Sequence, residues 1–318
     1  MKKIPCLLLV VVLLFSTLSA AGEEAGILVK EEDGGEFRPL PIDLSEGSSL
    51  PYTFQYNTEY KYYEDPTIRV ERYEITESEW SAIYWYALIT IRDPSQLRTA
   101  SVSENNPFLD SLVNYGRVLA KNKRAVLAIN GDYCSTFWTD KSQNFILRQG
   151  TVYRDSAMPD LDILLIDEEG DFHILSSGEN DLTAVDKTQI DGKKVINALQ
   201  FGPALVINGE KVPDEIILDP SHSPQFAEPE SRTQRMCICQ IDKLHYMTVC
   251  CAYFGMDLPT FRDLILSLAP VKTAYVLDGG ESAQMFFLGR QCNAGANGNK
   301  DPRMLTDIVY FASAWFLE

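Results

Sequence analysis

Asp278-Gly279-Gly280-Glu281-Ser282 sets two carboxylates, two glycines and a hydroxyl between an apolar run that ends at Leu277 and another that begins after Gln284. Val271 to Leu277 reads as a buried strand and Gln284 to Leu288 as a second, so the polar residues fall where a strand ends and the backbone must bend. Gly279 and Gly280 permit positive φ and let a ligand approach the main chain closely. A catalytic turn has this composition. An ordinary hairpin turn accounts for the same residues, because Asp-Gly is a common hairpin dipeptide. Asn130-Gly131-Asp132-Tyr133 follows the apolar run Ala125 to Ile129 in the same way, at the kind of strand end where sheets place ligand-binding groups. Ser231-Arg232-Thr233 stands just before a third predicted strand. Its guanidinium suits bidentate capture of a phosphate or carboxylate, and a solvated surface arginine is the plainer alternative.

The elements that must carry these groups are mostly strands. Ile68 to Ile75 and Ala82 to Ile91 pattern as a hairpin turning around Glu77 to Ser81. Pro107 to Asn122 reads as a helix, with Leu109, Leu112, Val113 and Leu119 at helical spacing and Lys121, Lys123 and Arg124 at its C-terminal end. Hairpins are expected around Gln149-Gly150, Glu168-Glu169-Gly170 and Asp242-Lys243, and an Asn208-Gly209 turn should close a strand that begins near Pro203. Asp257 should cap a helix from Leu258 to Leu268, with Pro259 in its first turn. Met304 to Phe311 is apolar enough for a closing strand. The fold class expected is α+β: mixed, largely antiparallel sheets with flanking helices in one domain, residues 67–318.

Two segments precede that domain. Met1-Lys2-Lys3, the apolar run Leu7 to Phe15 and Ser19-Ala20-Ala21 have the order of a secretory signal peptide, with cleavage near Ala21. The apolar run is short for a bilayer span, so no transmembrane segment is expected in the mature chain, which would be secreted or held in the cell envelope. Residues 22–66 are acidic and rich in Gly, Ser, Pro and Tyr, and read as a mobile leader that becomes partly ordered near Tyr52 to Tyr63. The net charge of −17 over 318 residues, more negative still once Lys2 and Lys3 are removed, argues against nucleic acid or anionic membrane as a partner. Of the seven cysteines, Cys134, Cys237, Cys239, Cys250, Cys251 and Cys292 would remain after cleavage. That even number permits disulfides in an exported chain without indicating a pairing, and no Cys/His spacing suits structural zinc.

Taken in order, Ile129-Asn130-Gly131-Asp132-Tyr133, Phe201-Gly202-Pro203-Ala204-Leu205-Val206, Arg232-Thr233 and Leu277-Asp278-Gly279-Gly280-Glu281-Ser282-Ala283 resemble the motifs of the phosphodiester glycosidase domain family. The resemblance runs from about residue 66 to the end. It implies a hydrolase that cleaves between a sugar anomeric carbon and a phosphodiester, on an α+β scaffold, with a sugar-phosphodiester or glycan as substrate. The positions that match are Asn130, Gly131, Asp132, Gly202, Arg232, Thr233, Asp278, Gly279, Gly280 and Ser282. The family commonly has a third glycine where this chain has Glu281, and Glu-Arg where it has Pro302-Arg303.

Such chemistry needs a carboxylate near the anomeric carbon, where oxocarbenium charge develops, and a cation or donor set for the departing phosphate. Asp278 is then the leading base or nucleophile, with Asp132 and Glu281 as second carboxylates. Arg232 becomes the phosphate clamp, with Thr233 and Ser282 donating hydrogen bonds and Asn130 touching sugar or phosphate. Gly131, Gly202, Gly279 and Gly280 would shape the substrate's approach. Asp132 and Asp278 could alternatively hold a calcium or magnesium ion, since clustered carboxylates also make a hard-metal site. The competing function is a non-catalytic carbohydrate-binding or envelope protein built on the same fold.

Overall fold

The computed structural model describes residues 26–48, 61–76, 78–110, 112–132, 144–222, 229–293 and 303–317. The expected signal peptide, Tyr133, Cys134 and Pro302 lie outside them. Strands far outnumber helices, and they form a nine-stranded, a six-stranded and a five-stranded sheet together with a two-stranded ribbon.

The nine-stranded sheet runs in the order Ile27–Leu28, Tyr62–Asp65, Ile68–Ile75, Ile83–Ile91, His245–Met256, Thr233–Asp242, Thr273–Leu277, Ala204–Ile207, Glu210–Lys211. Its pairings are antiparallel except the first. The long strands Ile83–Ile91 and His245–Met256 carry many β-branched and aromatic residues, and Thr233–Asp242 between its neighbours is almost wholly buried, as suits a sheet covered on both faces. One face is covered by the helix Leu258–Leu268, which buries Phe261, Leu264 and Ile265 against Cys237, Cys239, Val249 and Val276. Asp257 caps that helix by accepting from the Thr260 amide at 2.8 Å, as its sequence anticipates.

The other face packs on the five-stranded sheet, ordered Arg290–Gln291, Met285–Phe287, Ala125–Asn130, Asp307–Ala312, Leu97–Ser101. Val126, Ile129, Met285, Val309 and Phe311 meet Val70, Ile89, Ile238 and Leu277 in one continuous core. The six-stranded sheet is built from the hairpins expected around Gln149-Gly150 and Glu168-Gly170, both of which form around Lys193–Gln200.

Two expectations are revised. The acidic leader is structured wherever it is described. Its Ile27–Leu28 strand pairs with Tyr62–Asp65, Glu36–Phe37 pairs with Trp315–Phe316, and Leu40 is buried against Ala100 and Ala314. Buried Arg98 holds the leader down by donating to the Pro41 and Asp43 carbonyls at 2.8 and 3.1 Å, which secures main-chain acceptors that composition alone does not reveal. The helix read over Pro107 to Asn122 is only Gly116–Asn122. Asn114 forms a bridge with Leu305 instead, and Gly116 lies where a Cβ would meet Phe286 at 2.3 Å. Leu112 is exposed; its apolar spacing does not mark a buried face.

Candidate active site

Thr273–Leu277 belongs to the nine-stranded sheet and Met285–Phe287 to the five-stranded one. The turn between them crosses from one sheet to the other, which removes the hairpin alternative, because its flanking strands pair with other partners. The five-stranded sheet supplies the second wall: Met285 lies opposite Ile129, so Asn130 to Asp132 emerges beside the crossover. The Asp278 amide lies 3.4 Å from the Gly131 carbonyl. Two of the three strand ends picked out by sequence therefore converge.

Asp278 is 8% exposed. Burial pushes its carboxyl up to about 6, against pulls in the other direction from the Ser282 hydroxyl, from Arg303 and from the Gly279 amide, with a small further push from Asp132. Arg303 Nη1 donates to Ser282 Oγ at 3.3 Å. The hydroxyl thus links the cation to the carboxylate. Gln284 braces this arrangement, donating from Nε2 to the Glu281 carbonyl at 3.1 Å and to the Arg303 carbonyl at 2.8 Å. Its Oε1 is buried without a hydrogen-bond partner among the described residues.

Asn130 was expected to touch substrate. Its Nδ2 instead donates to the Asp278 and Gly131 carbonyls at 2.8 and 3.0 Å, and its Oδ1 accepts from the Gln284 amide at 3.1 Å. Its side chain ties the two sheets together and positions Asp278. Asp132, read as a second carboxylate or metal ligand, is also committed. Oδ1 pairs with Arg148 Nη2 at 2.5 Å and Oδ2 accepts from the Gln200 amide at 2.6 Å, both side chains of the ion pair being fully buried. A cation at Asp132 would have to displace this pairing. Among the described residues no group of three or more His, Cys, Asp and Glu side chains is placed to hold a metal ion.

Arg232 is not at Asp278. It is exposed, and its guanidinium donates to the carbonyls of Phe254, Trp80 and Ser81. Its side chain leaves the strand toward the far neighbours of Thr233–Asp242, and the cation beside Asp278 is Arg303. Thr233 begins that same strand opposite Met256. Glu281 is exposed on the turn and has no ion-pair partner among the described residues. Gly202 has φ +79 and donates its amide to the Val276 carbonyl at 3.2 Å, two residues from Asp278. Sequence reading missed Arg148, Arg303 and Gln284. Only Arg303 carried a signal, as the basic residue preceding the last strand.

The site glycines divide by what surrounds them. A Cβ on Gly131 would stand 1.9 Å from Asp307 Oδ2, and one on Gly279 would stand 2.7 Å from the Gln234 carbonyl, whereas Gly280 has open space and φ +57. Gly131→Ala is expected to cost 2 kcal/mol or more, on the order of an overpacked core site, and to displace Asp278. Gly280→Ala is expected to cost only about 1 kcal/mol of left-handed strain. Urea denaturation of the two variants beside the parent checks the ranking.

The described thiols Cys237, Cys239, Cys250, Cys251 and Cys292 are all free.

The sequence profile of the phosphodiester glycosidase family matches residues 123–312, a span that holds Asn130 to Asp132, Arg148, Arg232, Asp278 to Gln284 and Arg303. A search of curated proteins found no match. Among solved structures, the catalytic domain of zebrafish N-acetylglucosamine-1-phosphodiester alpha-N-acetylglucosaminidase, described as auto-inhibited by its pro-peptide, superposes with a TM-score of 0.60 at 17% identity, covering 87% of this chain and 98% of that one. A hypothetical protein from Synechocystis superposes with a TM-score of 0.53 at 12% identity, covering 78% of this chain and 63% of that one. At such identities both likenesses concern the fold alone. Profile match and fold agree, and the chain belongs to the phosphodiester glycosidase family.

Proposed function

We propose that the protein is an exported hydrolase that cleaves the bond between a sugar anomeric carbon and a phosphodiester in a glycan or cell-surface polymer. The observation that carries this reading is Asp278, a buried carboxyl raised to about 6 and linked through Ser282 to Arg303. A carboxylate poised near neutrality serves as a base for water or as a nucleophile toward the anomeric carbon. As the bond to the phosphate oxygen breaks, its electron pair leaves on the phosphate, and Arg303 and Ser282 are placed to meet that charge. Phosphate is already a good leaving group, so the reaction asks little of a general acid. Asn130 and the Asp132–Arg148 pair act on the geometry and not on the substrate.

Release of free sugar from N-acetylglucosamine-1-phosphodiester, the compound in the zebrafish enzyme's name, and from a panel of other sugar-1-phosphodiesters tests the proposal. Arg303→Ala is expected to lower kcat/KM by about 10²-fold, the scale of losing one preorganised charge-stabilising group. Comparable loss in Arg232→Ala with none in Arg303→Ala would reverse the two assignments. Repeating the assay in chelator reads any contribution of calcium or magnesium.

The non-catalytic alternative draws on one observation: exposed Glu281 puts a negative charge on the turn where the family commonly has glycine. Tight binding of the sugar-1-phosphodiester by the parent protein with no sugar released would favour it.

A further inference from the structure

The hydrogen bonds of Arg232 run to main-chain carbonyls: Nε to Phe254 at 3.3 Å, and Nη2 to Trp80 and Ser81 at 3.5 and 3.3 Å. Among the described residues no carboxylate stands within ion-pair distance of it and Nη1 has no protein acceptor. Several other surface cations of this chain, whose net charge is −17, meet carboxylates. Arg38 and Arg69 pair with Glu36 and Glu71, and Lys193 and Lys243 share the carboxylates of Glu169 and Asp171. An arginine fixed by carbonyls keeps its full charge and presents its remaining donors in a set direction.

Phe254 stands beside it. It is 68% exposed and adopts φ +68, a left-handed conformation that is a genuine outlier for a bulky residue. The cause is a bulge. Arg235 lies opposite Cys251 and Thr233 opposite Met256, so four residues on one strand face Gln234 alone on the other. Gly255, at φ +52, lets the bulge close on Thr233, since a Cβ there would stand 2.3 Å from the Thr233 backbone. Bulges re-aim side chains, and strain of this kind persists where surrounding contacts hold it. Here the Arg232 guanidinium supplies one such contact, through the Phe254 carbonyl.

This pair lies on the rim that carries Asp278. The Gln234 carbonyl sits against Gly279, and Arg232 is two residues beyond it, roughly 7 Å along an extended chain. The strand bearing Phe254 is two places from the strand ending at Leu277, or about 10 Å across the sheet. The guanidinium lies farther out, because the Trp80 and Ser81 carbonyls that hold it precede the strand three places from the one ending at Leu277, roughly 14 Å across the sheet; together these distances span a phosphate, one sugar ring and a substituent on that ring.

We infer that Arg232 and Phe254 form a subsite for the leaving part of the substrate, recognising a sugar ring that carries a second anionic group. The inference rests on the phosphodiester-hydrolase reading and adds its substrate class: sugar phosphates repeated along a chain, or a leaving sugar that itself bears a phosphate or carboxylate. The aromatic face takes the apolar face of the ring, and the guanidinium takes the anion. On that reading Arg303 meets the scissile phosphate, so a second cation on the far side of the ring has a separate anion to meet.

The test compares two sugar-1-phosphodiesters, one with a methyl group beyond the phosphate and one with a hexose 6-phosphate there. Phe254→Gly removes the ring while suiting the left-handed backbone, and Arg232→Gln removes the charge. Each variant is expected to lower the ratio of kcat/KM for the long over the short substrate by about tenfold, with Phe254→Trp restoring the ratio. Ratios within twofold of the parent in both variants would overturn the inference. If the parent cleaves neither compound, the hydrolase reading has failed. The subsite is then judged by calorimetry with methyl hexoside 6-phosphate: parent binding that Phe254→Gly and Arg232→Gln weaken supports it, and equal or absent binding in all three proteins refutes it.

Discussion

Asp278→Asn is expected to lower kcat on a sugar-1-phosphodiester by about 10³-fold, within the range for loss of a positioned base or nucleophile, and at pH 7 to make the protein more stable. The two effects share a cause. The Asp278 carboxyl goes from 3.8 in the unfolded chain to about 6 in the folded one because burial disfavours its charged form. Between those values the folded state holds a proton that the unfolded state has released, so stability falls as pH rises from about 4 to about 6. Above that range the whole penalty is present, roughly 2–3 kcal/mol. Asparagine carries no such penalty. Urea denaturation should therefore find the variant more stable than the parent at pH 7 and matched to it at pH 3.5. Activity of the parent should rise with pH through about 6 as Asp278 ionises. A variant that is inactive but no more stable at pH 7 than the parent would show that Asp278 does not lie in the desolvated setting described.

Arg148→Met is expected to destabilise the fold by about 3–5 kcal/mol, the cost of leaving a buried charge without its partner. Asp132 is 1% exposed and Arg148 is fully buried, so neither can turn to water. Arg148 also donates to the Ala198 and Leu147 carbonyls, and Asp132 Oδ2 takes the Gln200 amide. The pair therefore joins the strand end at Asn130 to the six-stranded sheet. Arg148→Met with Asp132→Asn should recover more than half of the loss, because the asparagine oxygen can still accept from Gln200 and no charge remains uncompensated. Chemical denaturation of parent, single and double variants closes the cycle. Additive losses would mean that the two side chains do not depend on each other.

The sequence by itself determined the local elements and the location of the central turn. The hairpins around Gln149-Gly150, Glu168-Gly170 and Asp242-Lys243 and the helix capped by Asp257 formed where expected, because alternation, caps and turns act over a few residues. Gly131 and Gly279 were visible as residue types whose reason appears only in the fold, where Asp307 and the Gln234 carbonyl occupy the space a side chain would need. The helix that shortened to Gly116–Asn122 was misread because pairing of Asn114 with Leu305, nearly two hundred residues away, outweighed local spacing. Charged groups were the least legible. Asp132 and Asp278 follow similar apolar runs in sequence, yet one lies opposite Arg148 and the other has only Ser282 and a more distant Arg303. Arg303 stands beside Asp278 where Arg232 was expected, for the same reason: the direction of a long side chain is set by strand pairing and by the carbonyls within its reach. Only the tertiary structure decided which carboxylate is neutralised and which is left poised, because desolvation and Coulomb energy depend on neighbours in space that sequence order does not supply.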